Sequence, residues 1–269
     1  MLAISDLKHI LLLAGKLTRR FASMKGLSLK ERLAFGLDVP ASQAQEQIDL
    51  MGGVVGWVKT NSVFVGGGPG LIRAINKTGT KIFFDLKWFD IPNTASNYVS
   101  EALIALEGVG MFNIHASSGS KMMKSALKMA EEIAIRSETK RPLVIAVTVL
   151  TSMNEDDLKE VGINSSVKDQ VLRLTYLTLN SGLDGVVASA LEAPMLRKEF
   201  GNDFIIATPG IRFEEEAKND QERVATPRSA IAGGSDILVM ARSLLKGGVL
   251  AVKRAYAEIE AGLDDRQKG

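Results

Sequence analysis

The segment Ile82-Phe83-Phe84-Asp85-Leu86-Lys87-Trp88-Phe89-Asp90-Ile91-Pro92-Asn93-Thr94-Ala95 holds a strand end, a charge cluster and a helix start in one short stretch. A strand beginning at Ile82 has a side-chain period of two, so it points Asp85 and Lys87 to the same side, roughly 6–7 Å apart along the backbone. Pro92 then suits a first helical turn, because its fixed φ is helical and its missing N–H is not needed there. The unit is a strand, a polar loop and a helix. Asp85, Lys87 and Asp90 crowd three charges onto its turn, as a reactive site or as a solvated cluster at a strand end.

The same unit recurs along the chain. Apolar runs at 33–37, 54–58, 82–84, 111–114, 143–150, 185–188, 204–207 and 237–240 read as strands. Helical patterns lie between and after them at 41–51, 70–77, 92–106, 120–135, 167–180, 191–199, 226–232 and 248–260. Eight alternations predict a (β/α)8 TIM barrel over 29–269, with residues 1–28 as an N-terminal extension, helical or frayed. The glycine cluster Gly66-Gly67-Gly68-Pro69-Gly70 lacks the Gly-Lys-Ser/Thr of a triphosphate loop and reads as a turn.

Polar residues gather at the predicted C-terminal strand ends: Asp38, Lys59, Asp85 with Lys87, His115, Thr151, Ser189, Arg212 and Arg242. In a barrel of this kind that rim carries the chemistry, so an enzyme is favoured over a binding module. Arg242, after the eighth strand, offers a planar fork of donors where barrels commonly hold phosphate. Residues 213–221 are acidic and long enough for a lid or an ordinary solvated loop. His115 is a catalytic candidate or a hydrogen-bonded structural histidine.

Composition narrows the partners. The 269 residues are 46% hydrophobic and 24% charged, with 33 basic and 31 acidic side chains. A net charge of +2 makes no case for nucleic-acid binding, and a small-molecule partner is expected. The chain contains no cysteine and only two histidines, which excludes thiolate chemistry and a histidine-rich metal site and fits a cytoplasmic location. No apolar run approaches the ~20 residues of a membrane span.

Leu37-Asp38, Lys59, Phe84-Asp85-Leu86-Lys87, Asp90-Ile91-Pro92-Asn93-Thr94, Asn113-Ile114-His115-Ala116, Val147 to Met153, Gly182 to Val187, Thr208-Pro209-Gly210-Ile211-Arg212 and Asn219-Asp220-Gln221 follow one another in order. Together they resemble orotidine 5′-phosphate decarboxylase of the bacterial type, over about residues 30–255. The resemblance implies decarboxylation of orotidine 5′-monophosphate to uridine 5′-monophosphate in de novo pyrimidine biosynthesis, with no metal or organic cofactor. It further implies a homodimer with shared active sites.

By the same resemblance Lys87 is the proton donor to pyrimidine C6, Asp85 lies against the departing carboxylate, and Lys59 bridges the carboxylates and the ribose. Asp90 reaches the partner subunit's site, with Asn93 and Thr94 completing the motif at the interface. Asp38 holds a ribose hydroxyl and Thr151 the pyrimidine edge. Arg212, Gln221 and Arg242 bind the phosphate region. Four positions depart from the family pattern: Thr60-Asn61 replaces Val-Gly, Phe89 a frequent histidine, and Ala241, beside the phosphate residues, a frequent glycine. An added methyl at 241 is expected to weaken or shift phosphate binding slightly.

Overall fold

The computed structural model describes residues 26–219 and 225–268. The extension read over residues 1–28 therefore lies, apart from its last three residues, outside the described part. Eight parallel strands close into a barrel in sequence order: β1 Leu33–Gly36, β2 Trp57–Thr60, β3 Lys81–Trp88, β4 Val109–His115, β5 Leu143–Val147, β6 Gly185–Val187, β7 Ile205–Thr208 and β8 Ile237–Met240. Pairing of β8 with β1 completes the ring. The helices are α1 Ala41–Met51, α2 Ser62–Lys77, α3 Pro92–Ala105, α4 Ser120–Arg136, α5 Glu155–Glu160, α6 Val167–Asn180, α7 Ala193–Phe200, α8 Pro227–Ala232 and α9 Arg242–Lys268. The expected (β/α)8 barrel is the observed architecture.

The strands are almost continuously apolar because both of their faces are covered, and the two faces form two cores. Ala34, Trp57, Phe83, Met111, Ile145, Ile205, Ala207, Ile237 and Val239 fill the barrel interior. The other face packs against the helices through residues such as Phe35, Val58, Phe84, Phe112 and Val186. Counting two residues on from Ala34, Trp57, Phe83 and Met111 reaches Gly36, Lys59, Asp85 and Asn113, all on the inward face and one layer nearer the C-terminal rim. The pleat thus delivers two charges and an amide into the mouth of a dry barrel.

Several elements differ from their sequence reading. β2 begins at Trp57, not Val54, because the N–H groups of Val54 and Val55 both donate to the Met51 carbonyl and close a turn after α1. β5 stops at Val147, where the Thr148 hydroxyl bonds the Val187 carbonyl. The glycine cluster is not a free turn: α2 starts at Ser62 and runs through it with one break at Gly68, whose φ of 54° and ψ of −155° suit glycine. α9 likewise begins at Arg242, breaks at Gly248 and continues. The short α5 escaped a search for apolar periodicity, although its capping box, Asn154 with Asp157, is a legible start signal.

Candidate active site

Four charged side chains form a line across the barrel mouth. Lys59, on β2, sets its Nζ 2.9 Å from Asp85 Oδ2 and 3.6 Å from Asp38 Oδ1. Lys87 Nζ lies 2.7 Å from the other oxygen, Asp85 Oδ1. Charge alternates from Asp38 through Lys59 and Asp85 to Lys87. The two inner members are enclosed, with side-chain exposures of 9% for Lys59 and 7% for Asp85, while Lys87 and Asp38 open to the cavity at 36% and 44%. Burial by itself pushes the Asp85 carboxyl up, yet the ammoniums of Lys59 and Lys87 outweigh it and hold the carboxyl below its usual range.

Local backbone explains how Lys87 reaches Asp85. A regular strand would place both on one face, but the β3–β4 register slips between Phe84 and Trp88. Lys87 itself adopts a φ of +50°, left-handed backbone of the kind that costs a non-glycine residue on the order of 1–3 kcal/mol. Its N–H donates to Asn113 Oδ1 at 2.8 Å, and Asn113 Nδ2 donates to Asp85 Oδ1 at 2.5 Å. Gly36 eases the same crowding, since a Cβ there would lie 3.0 Å from Ala241 Cβ and 3.3 Å from Asp38 Oδ2, close enough that these side chains would have to give way.

The cavity above this line has a volume of about 310 Å³. It brings together Asp38, Lys59, Asp85, Lys87, Thr151, Arg212, Ala241 and Arg242 of the expected site, over a floor of Phe83, Val147, Val187, Ala207 and Val239. Charge gathers on the first three strands, and the two guanidiniums stand after the seventh and eighth. Asp90, Asn93 and Thr94 do not line it. Asp90 instead accepts hydrogen bonds from the Ile91 N–H and the Tyr98 hydroxyl on the outside of the rim. Gln221 lies outside the described residues. His115 stays off the cavity wall, half-buried with its ring edge-on to Phe89, and burial followed by the Lys87 charge lowers its pKa.

Two polar side chains of the lining, Asn61 and Asn113, carried no assigned role in the sequence. Asn61, one of the departures from the family pattern, donates from Nδ2 to Asp38 Oδ1 at 2.8 Å. Asn113 stood inside a quoted motif, and the signal for it was a lone amide in phase with inward-facing Met111. Within the stretch read as a lid or loop, Glu214–Asn219 form a 3-10 helix; Arg254 pairs with Glu215 and stacks on Phe213, while the Ser243 hydroxyl donates to Glu216. Among the described residues no group of three or more His, Cys, Asp or Glu side chains could hold a metal, and no helix is long and apolar enough to cross a membrane.

Residues 31–255 match the model of the orotidine 5′-phosphate decarboxylase / HUMPS family. The chain belongs to this family. A relative named orotidine 5′-phosphate decarboxylase from Syntrophotalea carbinolica is 40% identical over 240 residues, 88% of this chain and 98% of that one. One of the same name from Vibrio cholerae serotype O1 is 48% identical over 177 residues, 66% of this chain and 74% of that one. The crystal structure of orotidine 5′-phosphate decarboxylase from Lactobacillus acidophilus superposes with a TM-score of 0.72 at 31% identity, covering 87% and 99% of the two chains. The protein is accordingly an enzyme, a carboxy-lyase.

Proposed function

We propose that the protein decarboxylates orotidine 5′-monophosphate, with Lys87 as the acid that protonates C6 of the pyrimidine. The bond between C6 and the carboxylate carbon breaks, the electron pair stays on C6, carbon dioxide departs, and an ammonium proton of Lys87 forms the new C–H bond. The observation that carries this reading is the alternating line from Asp38 to Lys87, lining a cavity that is also lined by Arg212 and Arg242. Lys87 is the outer ammonium of that line, exposed to the cavity, while Asp85 is pinned between two cations. A fixed array of this kind stabilises charge developing at C6 without reorganising water.

In this reading Asp85 faces the substrate carboxylate, Lys59 links the carboxylates to the ribose, Asp38 takes a ribose hydroxyl and Thr151 the pyrimidine edge. Arg212, Gln221 and Arg242 bind phosphate, and that remote contact helps to position the reacting ring. We infer further that the working form is a cytoplasmic homodimer in which Asp90, Asn93 and Thr94 serve the partner's site. Their absence from the cavity of their own chain supports this, as do the exposed apolar Phe89 and Ile91 on either side of Asp90, at 61% and 66%.

The test is an absorbance assay of purified protein with orotidine 5′-monophosphate, with and without chelator. Turnover unchanged by chelator is expected. Absence of turnover would overturn the reading, and activity lost to chelator and restored by magnesium would overturn its metal-independent form.

A further inference from the structure

Asn113 is 1% exposed and sits in the middle of β4, a costly place for an amide unless both of its ends are paired. Both are. Its carbonyl oxygen takes the N–H of Lys87, the residue at φ +50°, and its amino group supports Asp85 Oδ1, the oxygen that also meets Lys87 Nζ. The opposite amide orientation would set donor against donor at Lys87 and acceptor against carboxylate at Asp85, so the chemistry admits one orientation only. A neutral group that both donates and accepts is required at this point. Aspartate lacks the donor when ionised, and leucine lacks both functions.

We propose that Asn113 is a positioning residue, which holds the left-handed backbone of Lys87 and the rotation of the Asp85 carboxylate so that the acid and its counter-charge face the cavity together. The proposal rests on the decarboxylase reading for what Lys87 does, but not for what Asn113 holds. Left-handed backbone at a lysine persists only where the surroundings fix it, and the Asn113 bond acts on the N–H of that very residue. The same side chain fixes which carboxylate oxygen each lysine meets: Oδ1 for Lys87 and Oδ2 for Lys59.

The experiment compares Asn113→Ala and Asn113→Asp with the wild type in three readouts: kcat and KM, the pH dependence of kcat, and hydrogen exchange at the Lys87 amide. Asn113→Ala should lower kcat by about 100-fold, the effect of a displacement near 1 Å at a reacting group, with KM changed only a few-fold. Its Lys87 amide should exchange faster than in the wild type. The isosteric Asn113→Asp carries the test if the alanine variant does not fold. Its new carboxyl would face Asp85 and Lys87 of β3, Lys59 of β2 through Asp85, and His115 on its own strand. Protonated, it replaces the amide donor. It should therefore be active at low pH and lose kcat as pH rises through the titration of the carboxyl pair, a limb absent from the wild type. A kcat for either variant within about threefold of wild type at all pH values, or a Lys87 amide that exchanges as in the wild type, would overturn the proposal. A wild type without turnover would remove the decarboxylase reading, and the amide exchange would still decide whether Asn113 holds Lys87.

Discussion

At the C-terminal rim of the barrel, Asp85 divides its carboxylate between two lysines; at the N-terminal rim, Asp184 and Asp236 are held by arginines. The lower pairs are closed. Asp184 takes both Nη1 and Nη2 of Arg141 at 2.7 Å and the Val144 N–H at 2.7 Å, which ties the approaches to β5 and β6 together. Asp236 takes Arg197 from α7 and the Ile206 N–H of β7. Both carboxylates are thus held by guanidinium and backbone donors together, Asp184 through a two-nitrogen fork of Arg141 and Asp236 through one nitrogen of Arg197. The upper cluster is built differently, from compact ammonium charges on flexible stems, one of them open to a cavity. Similar ion chemistry thus serves as a staple at one end and as a reactive array at the other, and what separates them is that one cation of the upper cluster, Lys87, opens onto a cavity.

The largest expected effect tests the upper rim. Lys87→Ala should lower turnover by at least ~10²–10⁴-fold, the usual weight of a positioned acid, while Lys59 and Asn113 still hold Asp85 and the fold is kept. Near-normal turnover would refute Lys87 as the acid. The same variant probes the shared site: mixed with inactive Asp90→Ala chains, it should regain part of the activity, because a hybrid dimer pairs an intact Lys87 with the partner's Asp90. If subunits demonstrably exchange and nothing returns, the shared-site assignment is wrong.

A smaller effect is expected at the lower rim, and on a different quantity. Asp184→Ala leaves the Arg141 guanidinium and the Val144 N–H without their partner, so unfolding free energy should drop by about 3–5 kcal/mol, read from urea midpoints. At a temperature where the variant stays folded, kcat should match the wild type. A variant that loses kcat but keeps its stability would break the division between the two rims.

That division was only partly legible in the sequence. Alternation along 82–87 correctly brought Asp85 and Lys87 together, yet the contact depends on a break in the strand at Lys87 that no period of two foretells. The rim residues Asp38, Lys59, Arg212 and Arg242 could be found because each follows an apolar run. Asn113 and Asn61 act through hydrogen bonds to other side chains, and such partners become visible only when strands distant in sequence are laid side by side. The helical patterns read at 70–77 and 248–260 begin at or after the breaks at Gly68 and Gly248; what stayed illegible was the helix before each break, from Ser62 and from Arg242, since those segments are too short to show an apolar period.

The smallest effect concerns acid, where the direction of the Asp85 shift fixes the sign. In the unfolded chain its carboxyl titrates near ~3.9, and in the folded protein lower, because two ammoniums outweigh burial. Between those values the unfolded state binds more protons, so the stability contributed by ionised Asp85 is complete above the unfolded value and is lost as pH falls through the folded one. Urea midpoints of the wild type and Asp85→Asn, measured from neutral pH downward, should therefore differ by a constant offset of either sign until about pH 4. Below that the wild type should fall relative to the variant. Parallel curves down to the acid limit would mean that Asp85 gains nothing from Lys59 and Lys87 in protein measured without substrate, and that the upper cluster becomes an ordered array only when substrate arrives.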